Sequence, residues 1–197
     1  MKKKAMRRAI GFVVSLMLAV TTLSSCGGTN MTPEEGLSYF VQQRRDGTLG
    51  NYRLRIYYAS PGVMRSWSRP VRSVNDLIRR GHEHSVTVNG EGLMVPSVWD
   101  ADLLHRIETA ELIRVENESN VRARIYYVFE TNRGRRIFDV VMFGDNWGIG
   151  VNWTVFVNGV ELEWDDIFYD IIRPHLPLHA AYDMDRIIEE HNAFQNR

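Results

Sequence analysis

The strongest constraint on the fold is a strand pattern that occurs twice in the chain. Apolar residues occupy every second position from Tyr52 to Tyr58, and this period of two is typical of a strand with one buried face. The last four residues of that segment, Arg55–Tyr58, recur unchanged as Arg124–Tyr127. The sequence therefore predicts two related strands, each with one tyrosine of its Tyr-Tyr pair turned towards the core.

Further matches follow the two strands. Val88–Gly90 recurs as Val157–Gly159 at the same spacing as the strands, and a Trp-Asp pair follows each of these segments at a spacing shorter by four residues, which a deletion explains. Short matches also arise by chance, but several matches that share one offset favour an internal duplication. We expect two related halves, at about 51–108 and 121–175.

Capping and turn signals place helices and hairpins around these strands. Thr32 and Glu35 have the spacing of a capping box, so a helix should begin there and run to about Arg45. Asn-Gly at 89–90 and at 158–159 predicts tight hairpin turns, because both residues tolerate positive φ.

The remaining segments have the patterns of further strands and helices. We expect further strands at Val121–Glu130, Arg136–Phe143 and Trp153–Val157, and helices at Ser73–Ile78 and Ala180–Ala193. The sequence therefore predicts an α+β fold with a mostly antiparallel sheet and helices packed on one face.

The amino terminus has the order of a secretory signal. Basic residues precede the apolar run Ile10–Val20, and small residues follow it. That run is too short for a membrane-spanning helix, which needs about 20 apolar residues. Leu23–Cys26, a leucine, two small residues and a cysteine, resembles the signal of bacterial lipoproteins. An ordinary signal with an incidental cysteine is the alternative.

The lipoprotein resemblance implies cleavage before Cys26 and acylation, such as palmitoylation, of its thiol. We then expect a signal peptide at 1–25, a tether at 26–31, a single domain at 32–197, and anchoring at the extracytoplasmic face of the cell membrane. Cys26 is the one cysteine of the chain, so no disulfide is available. The stability of the domain must come from a packed core.

The charge of the domain argues against nucleic acid as a partner. The signal contains five of the 24 basic residues and none of the 24 acidic ones, so the rest of the chain is mildly acidic. Affinity for phosphate is built from clustered lysine and arginine. We therefore expect membrane attachment through the lipid alone, and a protein, peptide or glycan as partner.

Four aromatic residues are the candidates for a binding surface. Tyr57, Tyr126, Trp147 and Trp153 offer ring faces that suit sugars or peptides. Packing in the core is the alternative for each of them.

No catalytic residue, cofactor or metal site emerges from the motifs. His82-Glu83-His84 supplies too few ligands for zinc. The carboxylates after Trp99 and Trp164 could serve a hydrolase as acid and base, but carboxylates at a helix start are also explained by capping. We expect no catalysis, while a cell-envelope hydrolase stays open as an alternative.

The stretch 138–177 carries a second resemblance. With Val157–Glu161, Asp166–Asp170 and Pro174–Pro177, it is similar to an uncharacterised domain of secreted and lipid-anchored proteins from Gram-positive bacteria. The resemblance implies no activity. We therefore expect a lipid-anchored binding protein of the cell envelope, with a secreted inhibitor or immunity-type domain as a further alternative.

Overall fold

A computed structural model describes residues 31–59, 73–80, 84–95, 101–115, 122–144 and 153–195. These residues belong to one compact unit, Met31–Arg197. They form six strands, β1 Tyr52–Tyr58, β2 Ser85–Asn89, β3 Arg122–Thr131, β4 Arg136–Gly144, β5 Trp153–Val157 and β6 Val160–Glu163. They also form six helices, α1 Pro33–Arg45, α2 Val74–Arg80, α3 Gly90–Leu93, α4 Ala101–Thr109, α5 Ile167–Asp170 and α6 Leu178–Gln195.

The strands form one antiparallel sheet in the order β2-β1-β3-β4-β5-β6. Strands β3 to β6 follow one another as a meander, while β2 pairs with the outer edge of β1. The α+β fold class and its antiparallel sheet are thus confirmed. The strand from Trp153 to Val157 has the bounds that its alternation predicts.

The main core lies between one face of the sheet and the longer helices. Phe40 of α1 is fully buried and meets the rings of Phe129 and Phe138 edge-on, with centroids 5.0 and 5.9 Å apart. Edge-to-face rings at this distance stabilise a core beyond the area that they bury. Helices α4, α5 and α6 pack into the same core. We call this side of the sheet its first face.

Helix α1 begins as the capping signal predicts. The Thr32 hydroxyl accepts a hydrogen bond from the Glu35 backbone N–H at 3.2 Å, and the Glu35 carboxylate accepts one from the Thr32 N–H at 2.8 Å. These two bonds satisfy donors that a helix start otherwise leaves free. The helix ends at Arg45, which confirms both of its predicted ends.

One short helix packs on the opposite, second face of the sheet. Leu77 of α2 is fully buried against Ala123, Val128 and Val141. The Ser73 hydroxyl accepts a hydrogen bond from the Asp76 N–H and caps this helix. The helices therefore lie mainly, but not wholly, on one face.

The two Asn-Gly pairs adopt different structures. Asn158 and Gly159 form the predicted hairpin turn between β5 and β6, with φ of 50° and 81°. The hairpin predicted at Asn89-Gly90 is wrong, because Gly90 begins α3. Gly90 is needed there for a different reason: a Cβ on it would overlap the backbone of Gly50. Tertiary packing thus overrides the local turn preference.

The central strands agree with the sequence repeat, but the flanking elements do not. Tyr57 and Tyr126, which occupy equivalent positions in the repeat, lie directly opposite each other in the β1–β3 ladder. Strand β4, however, separates β3 from β5, whereas β2 pairs directly with β1. The structure therefore does not show the expected duplication.

Across the described ranges, no helix combines the length and apolar character needed to span a membrane.

Candidate functional site

The structure places the aromatic candidates on two sides of the sheet. Tyr57 and Tyr126 lie on the second face, in the cluster with α2, whereas Trp153 lies in the core of the first face. Trp147 and the lipidation candidate Cys26 fall outside the described residues. The described aromatic candidates therefore belong to two separate surfaces.

The tyrosine pair of the second face serves mainly in packing. The rings of Tyr57 and Tyr126 are stacked, with centroids 6.0 Å apart and planes 19° apart. Tyr126 is 8% exposed, and burial raises the pKa of its hydroxyl to about 12. Tyr58 and Tyr127 turn to the opposite face and are buried. The prediction that one tyrosine of each pair faces the main core is confirmed.

A buried carboxylate pairs with two arginines at one end of the second face. Glu130 accepts hydrogen bonds from Arg53 and Arg55 of the neighbouring strand, and its side chain is 3% exposed. Two guanidinium partners offset the cost of burying this charge. We read this cluster as structural.

A cleft of about 710 Å³ opens on the other side, where β5 begins and β6 ends. Its lining includes Arg106, Trp153, Glu163, Trp164, Asp166 and Asn192. These residues come from α4, from β5 and β6, from the turn after β6, and from the end of α6. We call this site the Trp cleft.

Two indole rings form its apolar wall. The rings of Trp153 and Trp164 have centroids 5.1 Å apart and planes tilted by 44°. His191 meets Trp164 edge-on at 6.3 Å. A Cβ on Gly144 would lie 3.4 Å from the ring of Trp153, so that glycine lets the indole lie close to the β4 backbone.

Three carboxylates provide the polar wall, and two of them are fixed in place. Both oxygens of Asp166 accept hydrogen bonds, one from Trp164 Nε1 at 2.8 Å and one from Asn192 Nδ2 at 3.0 Å. Asp165 accepts a hydrogen bond from the backbone N–H of Ile167 at 2.9 Å, which satisfies a free donor at the start of α5. Glu163 is exposed at the end of β6. Asp165 thus holds the local backbone and Asp166 holds two neighbouring side chains, and the carboxylate oxygens still have lone pairs for a ligand.

One donor of the cleft wall is left without a partner. Trp153 is 5% exposed, and within the described part of the chain its indole Nε1 has no hydrogen-bond acceptor. A buried donor without an acceptor costs about 1–3 kcal/mol. The cleft therefore holds hydrogen-bonding capacity that the described fold does not use.

The guanidinium of the cleft is already engaged. Arg106 Nη1 donates to Asp170 at 2.8 Å. Burial raises the pKa of the Asp170 carboxyl above its ordinary value of 3.8, the charge of Asp166 adds to the shift, and Arg106 opposes it. This ion pair joins α4 to α5 behind the cleft.

The described residues contain no candidate metal centre. Among the described residues, no group of three or more histidine, cysteine, aspartate or glutamate side chains could hold a metal ion. His82 and Glu83 of the weak zinc candidate lie outside those residues.

Sequence reasoning identified part of this cleft. The sequence makes Trp153 a binding candidate and places two carboxylates directly after Trp164. His191 and Asn192 had no signal, because their role depends on where the last helix ends against the sheet. No protein-family model, curated protein or solved structure matches the chain.

Proposed function

We propose that this protein is a lipid-anchored binding protein of the cell envelope, with acyl chains on Cys26 and a peptide or glycan ligand in the Trp cleft. The order of basic residues, apolar run, small residues and cysteine supports the anchor. The unused donor of Trp153 in the cleft wall supports the site. A polar ligand with an acceptor would satisfy it.

Access to that donor requires a small movement of the wall. The Nε1 atom of Trp153 is shielded from solvent, so a ligand reaches it when a neighbouring side chain shifts. Trp164 is the natural candidate, because it is half-buried, contacts Trp153 and is held by one hydrogen bond to Asp166. Side-chain rearrangements of this kind are common on binding.

Hydrogen bonding in the cleft favours binding over hydrolysis. A carboxylate pair for acid–base work needs one protonated acid beside a free carboxylate. Asp170 has the raised pKa, but the Arg106 guanidinium holds it, and Asp166 has a hydrogen bond on each oxygen. The carboxylates are thus arranged to support the cleft.

The anchor is tested by replacing Cys26 with serine in the full-length chain. We expect the wild-type protein to sediment with membranes and to have the mass of an acylated chain that begins at Cys26. The Cys26→Ser variant should lose both properties. An unmodified, uncut amino terminus in the wild-type protein would refute the anchor.

The site is tested with Trp153→Phe, which keeps an aromatic ring against Gly144 and removes the N–H donor. For a ligand that shifts the Trp153 indole N–H resonance, loss of one hydrogen bond should weaken binding by about 3–10-fold. Tyr57→Phe on the second face is the matched control and should leave binding unchanged. Envelope ligands that bind with full affinity to Trp153→Phe would show that the Trp cleft is not the site.

A further inference from the structure

We propose that the Trp cleft recognises an organic cation, the ammonium or guanidinium of a basic side chain presented by a peptide segment. This inference rests on the proposed binding function, and it adds the chemical class of the ligand. It is argued from three properties of the cleft: its charge, its aromatic wall and its unused donor.

The charge of the lining is negative. Glu163, Asp165 and Asp166 contribute three carboxylates, and Arg106 contributes one guanidinium, which Asp170 already binds at 2.8 Å. No described basic side chain lies within ion-pair distance of Glu163, Asp165 or Asp166, and Asp165 interacts with Arg106 at longer range. A cleft lined by one sign of charge concentrates ligands of the opposite sign.

The aromatic wall favours the same ligand. A cation over the face of an indole is attracted by the ring electrons, and tryptophan is the strongest of the aromatic side chains in this respect. Trp153 and Trp164 lie 5.1 Å apart at a tilt of 44°, so the two rings contact each other, and Trp164, which is half-buried, is the indole that a ligand meets first. Carboxylates beside such a pair complement an ammonium that keeps an apolar stem on the rings.

The unused donor distinguishes a peptide from a free amine. The Trp153 Nε1 is a donor only, so it cannot bind the cation and needs an oxygen acceptor. A peptide carbonyl lies within a few bonds of a basic side chain and supplies that acceptor. A ligand with both groups therefore uses the carboxylates, the rings and the indole N–H together.

The experiment uses the full-length protein in non-ionic detergent micelles. The probes are acetyl-Gly-Gly-Lys-Gly-Gly-amide and the same peptide with the lysine acetylated on its side chain, which removes the charge and keeps the backbone. We expect the lysine peptide to shift the indole N–H resonances of Trp153 and Trp164, with affinity at least about fivefold higher than that of the neutral peptide. Added salt should reduce this difference.

Two variants assign the selectivity to the cleft. Glu163→Gln changes an exposed lining residue at the end of β6 and should weaken the lysine peptide while leaving the neutral peptide unchanged. Glu91→Gln, exposed in α3 and outside the lining, is the matched control and should change neither.

The outcomes separate this inference from the binding function on which it rests. Equal binding of both peptides in the cleft would overturn the cation inference and leave the binding function standing. Binding of a deacetylated amino-sugar oligomer without binding of the lysine peptide would overturn the peptide assignment. If no peptide or glycan shifted either indole resonance, the binding function at this cleft would fall as well.

Discussion

Replacing Gly90 with alanine tests the close approach of α3 to the short 3-10 turn Leu49–Asn51. A Cβ at position 90 would lie 2.5 Å from the carbonyl carbon of Gly50, whereas ordinary contacts of a Cβ are 3.4–4 Å. The neighbour is backbone and cannot rotate away. Either α3 or the turn must therefore move by roughly 1 Å.

The cost follows from two opposing effects. Overpacking of a well-packed site destabilises by about 1–3 kcal/mol, and a backbone neighbour places Gly90→Ala near the upper end. Alanine recovers up to about 1 kcal/mol of helix propensity over glycine. We expect a net loss of about 2 kcal/mol in the free energy of unfolding, which corresponds to a fall in Tm of about 5 °C.

Gly50→Ala is the matched control, because no atom of the described residues beyond its two chain neighbours lies within 4 Å of the Cβ that it would add. Its free energy of unfolding should stay within about 0.5 kcal/mol of the wild type. Urea unfolding of residues 31–197, followed by far-ultraviolet circular dichroism, measures both variants. Equal stability of Gly90→Ala and Gly50→Ala would refute the proposed close approach.

Three further predictions concern the turn after β5, the buried carboxylate and the buried tyrosine. Gly159 has φ of +81°, and no neighbour among the described residues contacts its Cβ position, so Gly159→Ala should cost about 1–2 kcal/mol through backbone strain alone. In urea unfolding, Gly159→Asn should recover most of the stability that Gly159→Ala loses. Gly90→Asn should recover none of the stability that Gly90→Ala loses. Glu130→Gln should lower the free energy of unfolding by about 1–3 kcal/mol, because it weakens the hydrogen bonds from Arg53 and Arg55. The exposed Glu91→Gln is the control, and a smaller loss of stability in Glu130→Gln than in this control would contradict the pairing. Burial raises the pKa of Tyr126 from its ordinary value of 10.0 to about 12. The stabilisation that the neutral hydroxyl gives the folded state should therefore be full below pH 10 and be lost as the pH rises towards 12. Ultraviolet titration should show one fewer late-ionising tyrosine in Tyr126→Phe, and an unchanged titration curve would count against this assignment.

Asn158 links the turn after β5 to strand β4 and to Met31, and so combines a local turn preference with contacts to distant residues. Asn158 takes the positive φ of the turn, and its side chain also accepts a hydrogen bond from the Asp139 N–H at 3.0 Å and donates one to the Met31 carbonyl at 2.9 Å. The turn preference was readable in the sequence. The two side-chain bonds were not, because they join residues far apart in the chain.

Local patterns alone determined most of the secondary structure. The alternation from Tyr52 to Tyr58, the capping box at Thr32 and the turn at Asn158-Gly159 each depend on interactions within a few residues. Such interactions are encoded by spacing and residue type, so the sequence predicted these elements and the α+β class. The two Tyr-Tyr pairs also turned as the period of a strand requires.

Tertiary structure decided what depends on contacts between distant segments. The order of the strands placed β4 between β3 and β5, and the first Asn-Gly pair, which packs closely against Gly50, became a helix start. The Trp cleft joins residues from Arg106 to Asn192, a combination that no local pattern specifies. The end of the last helix completes this cleft, because Asn192 donates to Asp166 and His191 packs on Trp164.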